Sequence, residues 1–149
     1  MKNKFCIRKL IEEDIEAVTL LYASVLDPSY ISFSEIGEGK AISPNTLSKN
    51  ADDIFRKQLL SLIHSPDHGF FVIHENDRII GFALASLNTT EAGYIECWLD
   101  DICVAKEQQN KGHNIMPMNV ANSLLQTDCT IFDKIPQFFL CFRRHTRYL

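Results

Sequence analysis

The segment most suited to chemistry is the polar stretch from Gln109 to Asn114, which separates an apolar strand-like run from an apolar-periodic stretch. A loop between the end of a strand and the start of a helix points backbone N–H groups outward at the positive end of the helix dipole, where phosphates bind. Gly112 allows close backbone approach to a phosphate, and Lys111 adds a positive charge. One glycine before a helix also fits an ordinary turn. The stretch is neither a P-loop nor a Rossmann fingerprint.

The elements that position this loop follow from hydrophobic periodicity and turn residues. The predicted elements, in order, are a strand at Phe5–Leu10, a helix opened by Glu12 and closed by Asp27-Pro28, a long loop with a helical turn at about 28–50, a helix at Ala51–His64, strands at Phe70–His74, Arg78–Ser86 and Tyr94–Val104, a helix at about Asn114–Gln126 and a strand at Phe138–Phe142. Hairpin strands flanked by helices predict an α+β fold with three layers and a mixed, mostly antiparallel sheet.

The composition is that of one globular domain spanning residues 1–149, with 46% hydrophobic and 23% charged residues. A net charge of −4 gives no reason to expect nucleic acid as a partner. No apolar run is long enough to cross a membrane, and the first residues lack the apolar run of a signal peptide, so we expect neither. Five cysteines lie far apart without ligand spacing, which predicts reduced thiols, a cytoplasmic location and no metal.

In this context the segment resembles the signature of the GNAT superfamily of N-acetyltransferases. That family places Q/R-x-x-G-x-G/A after its fourth strand, and the match here is Gln109 to Asn114, with Asn114 where Gly or Ala is usual. The run Leu99 to Val104, L-D-D-I-C-V, resembles the family's L-E-D-L-x-V strand. The predicted element order of the whole chain is β-α-α-β-β-β-α-β. Its first seven elements, β-α-α-β-β-β-α, also agree with the family, so that the resemblance covers residues 4 to about 126.

The resemblance implies that acetyl-CoA is the acyl donor. Main-chain groups of Ile102, Cys103 and Val104 would then meet the pantetheine arm. The residues implied to surround the pyrophosphate are Gln109, Asn110, Lys111, Gly112, His113, Asn114 and Ile115. Asn114 departs from the family pattern, and we expect its side chain to crowd the phosphate.

Amine acetylation needs a base that takes a proton from the attacking amine, and a strand carboxylate can do this directly or through water. Strict alternation along the strand would place Glu96, Asp100 and Ile102 on one face and Asp101 on the other. By the resemblance, Asp100 is the expected catalytic residue and Glu96 the alternate. The structural alternative is that Asp100 only caps loop groups or pairs with a surface cation.

Three residues of the long loop, Tyr30, Phe33 and Glu35, lie where relatives roof the acceptor site. They are therefore candidates for substrate binding. Glu35 could attract a cationic amine, although a carboxylate that is simply exposed at the surface also fits the pattern. The tyrosine motif that supplies the general acid in many relatives has no match, so no acid is assigned.

After Phe138–Phe142 the usual final α-β-β of the family has no counterpart in the sequence. We therefore expect a truncated or rewritten end. Without the final strands the fifth strand would be an exposed sheet edge, through which we expect a homodimer to form. Two functions remain open. The first is an acetyl-CoA-dependent N-acetyltransferase that transfers an acetyl group to a primary amine of a small molecule or protein by direct attack on the thioester. The second is a catalytically degenerate acyl-CoA-binding or oligomerisation module.

Overall fold

The computed structural model of the protein describes residues 5–29, 31, 33–93 and 95–108. Within them the chain forms three helices and six strands, with 3₁₀ turns at Glu12–Asp14 and Lys106–Gln108. The elements are β1 (Phe5–Lys9), α1 (Ile15–Val25), α2 (Phe33–Gly37), β2 (Ala41–Ser43), β3 (Thr46–Leu47), α3 (Ala51–Leu62), β4 (His68–Glu75), β5 (Arg78–Thr89) and β6 (Ile95–Val104). The helix predicted at Asn114–Gln126 and the strand predicted at Phe138–Phe142 lie outside the described residues.

Four of the strands form one sheet in the order β1-β4-β5-β6, and each neighbouring pair is antiparallel. The tight turn predicted between β4 and β5 is confirmed: Asn76 and Asp77 both have positive φ, at 48° and 64°. Two such residues make the hairpin turn whose twist matches that of the strands, and Asn and Asp tolerate this conformation. The α+β fold with helices packed on an antiparallel sheet is thereby confirmed.

Helices α1 and α3 cover one face of the sheet because each has an apolar stripe at helical spacing. The largest buried cluster joins them to the strands, and its members are Leu10, Ile15, Val18, Tyr22, Phe55, Leu59, Ile63, Phe70, Val72, Phe82 and Leu84. The rings of Tyr22 and Phe55 stack at 4.0 Å between centroids and connect the two helices. A second cluster occupies the opposite face of the sheet, with Phe71, Ile73, Ile80, Ala83 and Ile102.

The segment 28–50 contains more structure than the predicted loop with a helical turn. It holds the short helix α2 and a small hairpin of β2 and β3, which together lead into α3. Gly39 ends the α2 turn with φ of +77°, and its N–H donates to the carbonyl of Ile36. A left-handed residue after a helix turns the chain sharply. Here the turn directs the next residue, Lys40, into the interior.

Candidate active site

The strand β6 carries a β-bulge at the position of the predicted catalytic residue. Leu84 of β5 lies opposite Asp101, but the next residue, Ala85, lies opposite Leu99. Asp100 is therefore an additional residue in β6, and it is exposed. A bulge bends the strand and re-aims the side chains beside it, and bulges occur often next to active sites.

This bulge makes the predicted alternation along the strand wrong. Beyond it, Ile102 lies opposite Ala83 and packs in the second cluster, whereas Asp101 lies opposite Leu84, on the face that α1 and α3 cover. Before the bulge, the pairing continues regularly to Asn88 opposite Glu96. The backbone position of Glu96 therefore shares a face with Asp101, and not with Ile102, because one inserted residue shifts the period-two pattern.

The outer edge of β6 is the edge predicted to meet the pantetheine arm, and within the described part of the chain β6 pairs only with β5. The N–H of Ala105 donates to the carbonyl of Ile80 over 2.8 Å. In an antiparallel ladder the residues of alternate pairs direct their N–H and C=O groups away from the neighbouring strand. Counting from Ala105, those residues are Val104 and Ile102, while the main chain of Cys103 faces β5.

Asp101 lies on the face of the sheet that α1 and α3 cover. It accepts a hydrogen bond from the backbone N–H of Ile102. Burial raises the pKa of Asp101 to about 6, although the ammonium of Lys40 and the Ile102 hydrogen bond oppose the rise. Glu38 and Asp100 contribute to raising the pKa, because like charges disfavour ionisation. A carboxyl that titrates close to neutral pH is suited to accept a proton from a substrate.

Two charged groups outside β6 act on Asp101, Glu38 and Lys40, and Lys40 directly precedes β2. Only 4% of Lys40 is exposed. Its Nζ forms an ion pair of 2.6 Å with Glu38 and lies 5.2 Å and 5.8 Å from the ring centroids of Phe55 and Tyr22. Cations at such distances are attracted to the faces of aromatic rings. The ion pair and the two rings together explain how an ammonium group is tolerated in the interior.

The turn that leads towards the predicted phosphate loop is fastened to the β4–β5 hairpin. The amide of Gln108 donates a hydrogen bond of 3.3 Å to the Glu75 carboxylate, and Gln108 is buried. Arg78, at the start of β5, forms an ion pair with Glu107. These two contacts fix the 3₁₀ turn at Lys106–Gln108, which is followed directly by Gln109.

The other predicted site residues are placed as follows. Glu35 lies on α2 and is 5% exposed, so the alternative of an exposed surface carboxylate is wrong. Phe33 begins the same helix. The Cys103 thiol lies beside the core under the helices, where burial raises its pKa, so it is not a reactive thiolate. The candidates outside the described residues are Tyr30, Gln109, Asn110, Lys111, Gly112, His113, Asn114 and Ile115.

Sequence reasoning missed the pair of Glu38 and Lys40. Both residues stand in a glycine-containing polar stretch, where a charged residue usually faces solvent. The only signal was Gly39 between them, which permits the sharp turn.

In the described residues no three or more His, Cys, Asp or Glu side chains are grouped so that they could hold a metal ion. Nor is any helix of that part long and apolar enough to cross a membrane.

Comparison with known proteins adds a sequence match and structural likenesses. The sequence profile of the acetyltransferase (GNAT) family matches residues 39–114, which is about half of the chain and includes Lys40, Asp100 and Asp101. None of the curated proteins matches the sequence.

Many solved structures have a similar fold, and they include three acetyltransferases. A possible acetyltransferase from Clostridium difficile 630 has a TM-score of 0.61 at 15% identity, over 96% of this chain and 81% of its own. Ribosomal-protein-alanine N-acetyltransferase from Brucella melitensis biovar Abortus 2308 has a TM-score of 0.57 at 15% identity, covering 95% and 80%. The aminoglycoside N-acetyltransferase AAC(6')-Iy in complex with CoA has a TM-score of 0.54 at 15% identity, covering 87% and 75%. At such identities the structures support the fold, and the profile match supports the family: the chain belongs to the GNAT family of acetyltransferases.

Proposed function

We propose that the protein transfers an acetyl group from acetyl-CoA to a primary amine. The observation that carries this proposal is the pair of successive carboxylates at the β6 bulge, Asp100 and Asp101, beside a strand edge whose main chain can meet a donor substrate. Membership of the GNAT family supports acetyl-CoA as the acyl donor. The amine acceptor rests on the acidic character of the site: among the described residues that act on Asp101, the carboxylates Glu38 and Asp100 stand beside one cation, Lys40.

Acetyl-CoA, when bound, supplies an activated acyl carbonyl. The main chain of Ile102 and Val104 would orient the pantetheine arm, and the loop from Gln109 to Ile115 would hold the pyrophosphate. The protein must also remove a proton from an ammonium group before its nitrogen can attack. Asp101 is suited to this task because its pKa of about 6 makes it a better proton acceptor than an ordinary aspartate.

Asp100 keeps its proposed catalytic role as the exposed carboxylate of the bulge, one residue from Asp101. With Glu96 as the alternate, it can attract the cationic acceptor or relay its proton through water. Glu35, Phe33 and Tyr30 are proposed to bind the acceptor. A cytoplasmic location and a homodimer complete the proposal.

The test is release of CoA thiol from acetyl-CoA with a panel of small polyamines, aminosugars and peptides with free amines. Asp101→Asn and Asp100→Asn should each lower turnover by about 10²- to 10⁴-fold if the residue is the base. Asp67→Asn, in the exposed turn before β4, is the matched control and should keep full activity. Binding of acetyl-CoA without thiol release for any amine would favour the alternative, a non-catalytic acyl-CoA-binding module.

A further inference from the structure

The segment 33–48, which we call the acceptor segment because it carries the predicted acceptor residues Phe33 and Glu35, consists of very short elements. Helix α2 has five residues, and β2 and β3, of three and two residues, form a two-stranded sheet of their own. A helix of about one turn and an isolated two-stranded hairpin are at best marginally stable in water. The acceptor segment must therefore be held in position by contacts with the rest of the fold.

One such contact is made by Lys40, which lies between α2 and β2. Its Nζ lies 5.8 Å from the ring centroid of Tyr22 on α1 and 5.2 Å from that of Phe55 on α3. The two rings stack on each other at 4.0 Å, and the ring of Phe55 lies 5.4 Å from that of Phe82 on β5. These three aromatic residues are at most 1% exposed. Lys40 therefore extends from the acceptor segment to the aromatic centre of the core.

The same residue is bonded to both ends of the acceptor segment. Towards α2, its Nζ pairs with Glu38 Oε2 at 2.6 Å, and the Glu38 N–H donates to the carbonyl of Ser34 over 2.9 Å. Towards α3, the Lys40 carbonyl accepts a hydrogen bond of 2.9 Å from the N–H of Ser48. The Ser48 carbonyl in turn accepts one of 3.2 Å from Ala51, the first residue of α3. A displacement of Lys40 would therefore be passed on to α2 and to the hairpin.

We propose that Lys40 is a positioning residue for the acceptor amine: its ammonium fastens the acceptor segment to the aromatic core and so determines where Phe33 and Glu35 meet the substrate. This inference deepens the proposed function and rests on it for its catalytic meaning. Hydrophobic burial is non-directional, so an apolar side chain at position 40 could shift across the two rings. The ammonium must stay on the rings and beside Glu38 at the same time, which selects one position of the turn.

Two-substrate kinetics of CoA thiol release separate this role from a general loss of stability. Lys40→Met keeps an unbranched side chain on the rings and removes the charge. Its KM for the acceptor amine should rise by about tenfold, as for the loss of one charge-assisted contact, while kcat and the KM for acetyl-CoA change by less than about twofold. Lys57→Met is the control, because Lys57 pairs with Asp53 at the exposed surface of α3. An equal rise in KM for both substrates, or a fall in kcat alone, would overturn the proposal.

Hydrogen exchange of the full chain, measured by mass spectrometry, tests the anchor without any substrate. In Lys40→Met the amides of the acceptor segment should exchange about tenfold faster, and those of α1 and α3 at the wild-type rate. Unchanged exchange in the acceptor segment, or faster exchange throughout the chain, would overturn the proposal. If Lys40→Met does not fold, Glu38→Gln, which breaks the ion pair at an exposed carboxylate, decides by the same two measurements. Faster exchange confined to the acceptor segment, in a protein that acetylates no amine, would uphold the anchor and refute the proposed function.

Discussion

The side-chain amide of Gln108 donates a hydrogen bond to the carboxylate of Glu75, and so joins the turn after β6 to the end of β4. Glu75 lies at the edge of the β4–β5 turn, and Arg78, on the other side of that turn, pairs with Glu107. The chain that enters the predicted phosphate loop is therefore held from two directions by one hairpin. Fixing the residues that precede a binding loop leaves less conformational freedom to be lost when the ligand binds.

Gln108→Ala should weaken acetyl-CoA binding by removing this support, with a loss of about 0.5–1.5 kcal/mol, as for an ordinary hydrogen bond. Isothermal titration calorimetry measures the change. Glu75→Ala should have a similar effect, and the double variant should be no weaker than either single one, because both remove the same contact. Strictly additive losses would show that the two residues act independently. Glu75→Gln, which keeps an acceptor, is the conservative control.

Acetyl-CoA should raise the melting temperature of the protein, because a ligand that binds the folded chain alone stabilises it. At a concentration about 100-fold above Kd the gain is about 2.7 kcal/mol, which corresponds to several degrees in differential scanning fluorimetry. ATP at equal concentration is the control for a general effect of anionic nucleotides. An equal shift with both compounds would contradict a site built for the pantetheine arm.

Asp101→Asn should stabilise the fold at pH 8. The folded chain raises the pKa of Asp101 from 3.8 to about 6, so the charged carboxylate opposes folding above pH 6. This opposition fades as the pH falls from about 6 to 4, since the folded protein then binds the proton first. We expect a gain of about 1–2 kcal/mol at pH 8 after allowance for partial solvent screening, and none near pH 4. Urea unfolding at both pH values checks this, and a gain independent of pH would refute it.

Asp14→Asn should have the opposite pH dependence. The guanidinium of Arg8 donates to both carboxylate oxygens at 2.5 and 2.8 Å, and this contact, with a hydrogen bond from the Ile11 N–H, lowers the pKa of Asp14. Its contribution is present above the pKa of the unfolded chain and is lost as the pH falls through the folded value. The variant should lose about 1–2 kcal/mol at pH 7. The difference from wild type in urea unfolding should vanish at low pH; a constant difference would argue against the ion pair.

Gly81→Ala should destabilise the sheet, because the central strand β5 passes very close to β6 at this residue. A Cβ at Gly81 would lie 2.8 Å from the carbonyl oxygen of Cys103 and 3.1 Å from Ile73 Cδ1. The strands would have to separate, at a cost of about 1–3 kcal/mol. Gly37→Ala is the matched control, since a Cβ there meets nothing within 4 Å. Thermal unfolding of the two variants compares them, and equal stability would show that the sheet adapts without cost.

The strands and helices that have a clear apolar period could be predicted from the sequence. The turn at Asn76-Asp77 was recognised because its residues favour a left-handed backbone. The hairpin of β2 and β3 was not, because strands of three and two residues have too few positions to show alternation. Their pairing depends on contacts with α2 and on the Ser48 hydrogen bond, which local sequence does not reveal.

The candidate site was predictable in place and less so in detail. The L-D-D-I-C-V strand predicted Asp100 as the catalytic residue. The bulge could not be predicted, because an inserted residue is defined by the pairing with the neighbouring strand and cannot be recognised in the sequence of β6 alone. The sequence pattern therefore placed Asp101 on the face of the sheet opposite to that of Glu96, although the two positions share a face. The burial of Lys40 depends on Tyr22 and Phe55, which come from two distant helices. No short segment of the chain contains that information.

The extra residue in β6 also changes the phase of the strand, with a consequence for anyone who redesigns it. Between the start of β6 and the bulge, a position lies on the same side of the sheet as Asp101 when it is an odd number of residues away from it. Glu96, five residues away, is such a position. Between the bulge and the end of β6, a position shares the side of Asp101 when it is an even number of residues away, as Cys103 is. An engineer who places a second carboxylate by even spacing from Asp101 towards the start of β6 would put it on the opposite face. The same insertion would misdirect any comparison of this strand with a relative whose ladder is regular.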